Sequence, residues 1–253
     1  EEISSVLNSQ QANILGIIPL FGYGRGVTSA DTLEEDATTI RSLMNELGYR
    51  NASVSVRQGV SPNSDDLIIT FQVDEGPPTV VDDVTISGNS AISTDELKKQ
   101  LPELVGRNYS RARVRNAVRS LQTYYSDRGY YDARVTSSIV EPVTPATVDA
   151  EKIKVEFHVE GEGQVVTTDR VLITGNRKTK ESAIRRAIAI EPGKVLKASE
   201  IYTSEQSLFG TDAFDSVNVK LQPSGGNGNG SGSGRKTDVI INVSEAPPRV
   251  LGY

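Results

Sequence analysis

Three glutamates recur along this 253-residue chain at a constant spacing of 85 residues: Glu75, Glu160 and Glu245. Carboxylates could serve acid–base chemistry or hold a metal, but both roles need further acids, histidines or thiols close by. The chain has no cysteine and one histidine, His158, which stands in a strand-like run with no acidic cluster at ligand spacing. No Gly-x-Ser-x-Gly, His-Glu-x-x-His or nucleotide-binding glycine pattern is present. Asp82-Asp83 reads as a strand lead-in, and Glu34-Glu35-Asp36 as a helix first turn, where negative charge suits the dipole. One glutamate per period therefore points to a structural or linker role, with hydrogen bonding at a junction between domains. No catalytic, cofactor or metal residue is expected.

Composition narrows the rest. With 36% hydrophobic and only 6% aromatic residues, no Trp and one Met, the chain suits several shallow cores better than one large one. The net charge is −6 with both signs interspersed, and Arg111, Arg113, Arg115 and Arg119 spread around a predicted helix as a solvated surface. Nucleic acid is not an expected partner. No run approaches the ~18 apolar residues of a membrane-spanning helix. No basic, apolar leader follows Glu1, so any signal peptide is expected to have been removed or to lie outside this sequence. The lack of cysteine excludes disulfides and leaves the redox compartment open.

The elements that position the glutamates recur with them. Each glutamate closes a strand-like run: Leu67–Val73, Ile153–Val159 and Val239–Val243. Before each run comes a helix end and a shorter strand: Leu47-Gly48-Tyr49 then Ala52–Val56, Arg128-Gly129-Tyr130 then Ala133–Val135, and Asp212-Ala213-Phe214 then Val217–Val219. Gly48 and Gly129 stand where a helix C-terminus takes a left-handed residue. The third copy has Ala213 in that place, with Gly210 earlier, so its helix is expected to stop about a turn sooner. Helical stripes precede these ends: Leu33, Ala37, Ile40, Met44 and Leu47; Val114, Val118, Leu121 and Tyr125; Ile201 and Leu208. An earlier helix carries Leu97, Leu101 and Leu104 in the second copy and Ile184 with Ile188 in the third. Ser93 with Glu96 forms a capping box for the former, and Thr179 is a candidate cap for the latter. Ahead of these helices, Val84-Thr85-Ile86-Ser87-Gly88-Asn89 returns as Val171-Leu172-Ile173-Thr174-Gly175-Asn176, a period-two strand stopped by a Gly-Asn turn.

The predicted fold class is α+β: a tandem array of three small β-α-α-β-β domains, each with two helices on a three-stranded mixed sheet. The boundaries are 1–78, 79–163 and 164–248. The first repeat lacks a lead strand, Ile3, Val6 and Leu7 matching its first helix. The Leu67–Val73 strand should then have an open edge, paired by Ile14–Phe21 or by a neighbouring molecule. The apolar stretch Ile14–Gly26 is expected to pack on its own or the adjacent domain, contact with a partner or lipid being the alternative. Ser224–Gly234, all Gly, Ser and Asn, reads as a flexible hairpin loop and not a phosphate loop. Glu75-Gly76-Pro77-Pro78 predicts limited hinge motion at the first boundary, and Gly161-Glu162-Gly163 a looser second one.

The repeated Val-x-Ile-x-Gly-Asn, the Leu121–Tyr130 pattern of a leucine, a tyrosine and Gly-Tyr, and the Val-Glu-Gly strand end of Phe157–Gly161 together resemble POTRA domains. These are the polypeptide-transport-associated domains of Omp85-superfamily outer-membrane assembly factors such as BamA and TamA. The resemblance covers nearly all of the chain and is best in the second repeat. It implies a periplasmic region tethered to a bacterial outer membrane, with 249–253 leading toward the protein's own C-terminal β-barrel. It also implies partners: unfolded outer-membrane protein clients, with accessory lipoproteins or an inner-membrane protein. Binding would be β-augmentation at the second strand of each repeat, and the residues carried over are Val54, Val56, Ala133, Val135, Ser137, Val217 and Val219. Two other readings stay open: a POTRA-type interaction scaffold of a cell-division, two-partner-secretion or organellar import protein, and a periplasmic enzyme whose catalytic part lies elsewhere.

Overall fold

In the computed structural model, residues 7–8, 29–62, 67–141, 150–224 and 234–247 are described. They belong to two compact units. One draws on Glu1–Thr85, Pro102–Asn116 and Ser137–Glu156, the other on Ile86–Leu101, Ala117–Thr136 and Phe157–Tyr253. Ile3, Val6, Ile14–Gly26, most of Ser224–Gly234 and 248–253 lie outside the described residues, and with them the expectations placed there.

The first repeat contributes helix α1 (Ala30–Glu46) and strands β1 (Ser53–Val60) and β2 (Leu67–Asp74). Ser29 caps α1 by accepting from the Thr32 amide at 3.1 Å, which satisfies a donor with no partner inside the helix. Leu33, Ala37, Ile40 and Met44 are buried as their spacing predicts. Leu47, placed in the same stripe, is instead the C-cap and 53% exposed. Asp36 is also not where its cluster suggested. It lies past the first turn, wholly buried, and accepts from the Asn8 amide at 2.6 Å. β1 and β2 pair antiparallel from Ser53↔Asp74 to Val60↔Leu67. Among the described residues the other edge of β2 has no partner.

The second repeat runs β3 (Thr79–Ser87), α2 (Thr94–Lys98), α3 (Arg111–Ser126), β4 (Arg134–Val140) and β5 (Glu151–Glu160), with sheet order β3-β5-β4. Alternation in β5 buries Ile153, Val155, Phe157 and Val159 and leaves His158 on the exposed face. Ser93 does cap α2, but the Glu96 side chain does not close the box: its carboxylate accepts from the Tyr124 hydroxyl and from Arg128. α2 also ends before Leu101 and Leu104, which the stripe had included.

The third repeat runs β6 (Val166–Thr174), α4 (Glu181–Ala187), α5 (Ala198–Phe209), β7 (Phe214–Pro223) and β8 (Arg235–Glu245), with order β6-β8-β7. β6 pairs parallel to β8 with Val171↔Val239 and Ile173↔Ile241, and β7 pairs antiparallel with Val217↔Val243. Val166, Ile184, Leu196, Leu208, Phe214, Val239 and Ile241 form one core. The N-cap of α4 is Lys180, without a side-chain bond, so Thr179 is not the cap. α5 reaches Phe209, and the left-handed residue after it is Asp212 (φ 55°), Gly210 being right-handed. The helix stops only about one residue sooner relative to the following aromatic, since four positions separate Ser126 from Tyr130 and five separate Phe209 from Phe214.

Candidate functional site

Two features built from these elements could bind or position other polypeptide: the turns after the lead strands, and the free sides of the second strands.

The turns come first because they explain the repeating acids. Gly88 and Gly175 have φ of 79° and 89°, and a Cβ on either would stand 2.1 Å from the Val159 carbonyl oxygen or 2.0 Å from that of Val243. Only glycine lets the chain turn this close to the central strand. The turn then exposes successive amide N–H groups, which form a nest for an anion. In the second repeat Glu162 fills it: one carboxylate oxygen accepts from the Ser90 amide at 2.9 Å and the Ala91 amide at 2.8 Å, and from the Ser90 hydroxyl at 2.5 Å. Its other oxygen accepts from the Tyr125 hydroxyl at 2.7 Å. Burial raises the Glu162 carboxyl, but the bonds from Ser90, Tyr125 and the two amides outweigh it and hold the group below its ordinary range. Burial, with Glu162 beside it, pushes the Tyr125 hydroxyl up, so it stays a donor.

In the third repeat Glu245 fills the nest, accepting from the amides of Arg177 at 3.1 Å, Lys178 at 2.9 Å and Thr179 at 2.7 Å. The Thr179 amide bond, more than burial opposes it, holds this carboxyl at about 2. Glu160, which shares the constant spacing, takes neither place. It is exposed, 3.9 Å from the ring of His158. Glu162 and Glu245 thus anchor the turn of their own repeat, while Glu75, like Glu160, is exposed.

Junction bonds come from other residues, and sequence reading missed them. In one unit the Gly48 carbonyl accepts from the Thr79 amide at 2.8 Å, and Glu46 accepts from the Ala112 amide, in the first turn of α3, at 3.1 Å. In the other unit the Gly129 carbonyl accepts from the Val166 amide at 2.9 Å, and Asp127 accepts from the Ser199 amide, in the first turn of α5, at 2.7 Å. An acid at the end of one helix capping the start of a later one is the signal that spacing arguments within a repeat could not find. Both junctions share this pair of bonds; the first adds Asn108 donating to the Leu47 carbonyl at 3.2 Å and Arg50 to Glu141 at 2.8 Å, and the second adds Arg235 donating to Asp132 at 3.0 Å.

The second strands are edges: β1, β4 and β7 each have one neighbour among the described residues. The structure places Val54 and Val56 in β1, Val135 and Ser137 in β4, and Val217 and Val219 in β7, while Ala133 precedes β4. Ala133 and Val135 are buried, Val54 packs against Ile40, Met44 and Ala52, and Val217 and Val219 pack against the third core. Of the seven, Ser137 has an exposed side chain. What these strands present is therefore main chain. On β7 one of those groups is already used: the Val219 amide donates to a Glu205 oxygen of α5 at 3.0 Å. A side-chain acceptor for this amide means that it points away from β8, toward the free side.

A β-α-α-β-β unit repeated in one chain, with its lead strand parallel to the central strand, defines a class of modular domain, and comparison with known proteins gives it a family. The family model POTRA, described as a surface antigen variable number repeat, matches residues 1–76, 79–161 and 166–246. The chain belongs to the POTRA family. It is 27% identical over 206 residues to the outer membrane protein assembly factor BamA of Nitratidesulfovibrio vulgaris, covering 79% of this chain and 25% of that protein. It is likewise 27% identical over 251 residues to a putative outer membrane protein assembly factor of Treponema pallidum, covering 96% of this chain and 27% of that protein. It thus spans about a quarter of the length of these relatives. Among solved structures, its fold is similar to POTRA domains 3–5 of Haemophilus influenzae BamA, with a TM-score of 0.56 and 20% identity over 87% of this chain and 82% of that one.

Proposed function

We propose that this chain is the periplasmic docking region of an outer-membrane β-barrel assembly factor, with POTRA repeats at 1–78, 79–163 and 164–248. It receives extended segments of unfolded clients, or of accessory lipoproteins, along the free edges of its second strands. The observation that carries this reading is that, among the described residues, the second strand of each repeat has a single neighbour, so that its outer main chain, apart from the Val219 amide held by Glu205, is open to another strand. An added strand gains main-chain hydrogen bonds with little demand on sequence, which suits a factor that handles many clients. The family and the outer-membrane assembly-factor relatives support this setting.

β4 is the clearest edge, because no described side chain occupies its outer amides. Val135 corresponds to Val219, each lying five residues after the aromatic that follows the helix, so the outward amides of β4 include those of Val135 and Ser137. Proline at 135 would also remove a buried side chain, which makes Ser137→Pro the cleaner test. Titration with an extended peptide from an outer-membrane protein should show binding to the native chain and at least about tenfold weaker binding to Ser137→Pro, with unchanged circular dichroism. Equal affinity in a folded variant contradicts the proposal.

A further inference from the structure

The edge of β7 differs from the others in what stands beside it. Glu205 already holds the Val219 amide, taking the place of the carbonyl that an added strand would present. On α5, Tyr202 and Phe209 lie three residues before and four after Glu205, so the three side chains share one helix face. Tyr202 is 64% and Phe209 56% exposed, which is unusual for two aromatics on one helix. Measured from the buried Leu208, Tyr125 and Met44, the same positions hold Arg119, Gln122 and Ser126 on α3, and Thr38, Arg41 and Asn45 on α1. The aromatic–acid–aromatic face is a property of the third repeat alone.

We infer that the β7 edge with Tyr202, Glu205 and Phe209 is a selective docking site for an extended client segment that carries a lysine or arginine between apolar residues. This rests on the strand-addition reading above and narrows it. When a strand adds to β7, its carbonyl takes over the Val219 amide and the Glu205 carboxylate loses its donor. A basic side chain on the incoming strand replaces that donor with a cation, whereas an acidic one sets two carboxylates against each other. Its apolar neighbours cover Tyr202 and Phe209, removing from water two rings that the chain leaves exposed. Three other charged groups lie on the two elements, and one of them, the exposed Asp215 at the bulge that opens β7, is an acid that adds to a preference for a basic segment. Glu200 is paired with Lys197 at 2.8 Å, and Lys220, one position from Val219, points to the opposite face of the sheet from it.

The test uses the whole 1–253 chain and two synthetic peptides, Thr-Val-Phe-Lys-Leu-Thr-Val and the same with Glu for Lys, followed by backbone amide NMR and calorimetry. The expected result is shifts on β7 and α5, with the Lys peptide bound about fivefold more tightly. Glu205→Gln should bring the two affinities to within about twofold, and the double change Tyr202→Arg with Phe209→Ser, the residues found on α3, should weaken both about tenfold. A charge preference that survives Glu205→Gln overturns the inference, as does binding confined to β4, which leaves strand addition itself standing. Absence of binding at every edge, β4 included, overturns both.

Discussion

In the second repeat the turn after the lead strand is held by Glu162, buried with the Tyr125 hydroxyl; in the third it is held by Glu245, half-buried, which accepts from the amides of Arg177, Lys178 and Thr179. The two acids are not at equivalent positions. The glycines abut Val159 and Val243, so Glu245, two residues after Val243, corresponds to Gly161, and the Glu162 side chain reaches the nest from one residue further on. The left-handed Gly161 (φ 58°) gives the chain that extra step. What is repeated is thus a nest of amides requiring an anion, not a residue number. The same two repeats also diverge on their second helices, α3 holding Arg119, Gln122 and Ser126 at the positions where α5 holds Tyr202, Glu205 and Phe209. One backbone plan carries two different surfaces.

The largest effect should come from the turns themselves. Gly88→Val must move the chain off the Val159 carbonyl and out of a left-handed conformation, and should destabilise by about 3 kcal/mol or more in urea unfolding. Gly106→Ala, at φ 77° with open space around it, isolates the conformational part and should lose only about 1 kcal/mol. Equal losses would mean that the close approach to the central strand is not what matters.

Next is the acid in the second repeat. Glu162→Ala leaves the Ser90 and Ala91 amides and the buried Tyr125 hydroxyl without their acceptor, and should destabilise by about 2 kcal/mol. Glu160→Ala, one exposed residue at the constant spacing, should be close to neutral; the reverse order would restore the spacing argument over the geometric one.

The third prediction separates the acids by pH. Glu245 has its carboxyl at about 2 against an ordinary 4.5, and Glu162 is also depressed. A depressed carboxyl contributes stability that is full above the unfolded value near 4.5 and is lost as pH falls through the folded value. Unfolding followed from pH 5 to pH 2 should therefore show a decline that Glu245→Gln flattens. A Glu245→Gln profile parallel to the native one would contradict the nest assignment. The smallest effect is expected at Glu205→Gln, which exchanges a charged acceptor for a neutral one at an exposed strand and should leave the unfolding midpoint almost unchanged while altering peptide preference.

Much of the fold was legible because period-two strands, the Gly-Asn turns and the 3.6-residue stripes are local signals. The stripe of α1 is buried as its spacing predicts, save Leu47, where the helix ends. What failed depended on contacts distant in sequence. Glu96 looked like half of a capping box, but Tyr124 and Arg128 of α3 claim its carboxylate. Asp36 looked like a first-turn acid, but it is buried against the Asn8 amide. Glu160 had the correct spacing, yet Glu162 has the correct reach. The candidate edge residues other than Ala133 lie on edge strands; Ser137 is exposed, while Val54, Val135, Val217 and Val219 pack inward and present main chain to the free side. Glu205, the residue that does face the β7 edge, carried no signal beyond its place on α5.

The central claim is that extended segments add to the free edge of a second strand, and most openly to β4. Hydrogen exchange of the 1–253 chain with and without an extended outer-membrane protein peptide tests it directly. The account predicts new protection at the outward amides of Val135, Ser137 and Ile139, with the amides of β5 unchanged. Protection that appears on helices α1, α3 or α5 while β4 exchanges as before would contradict it.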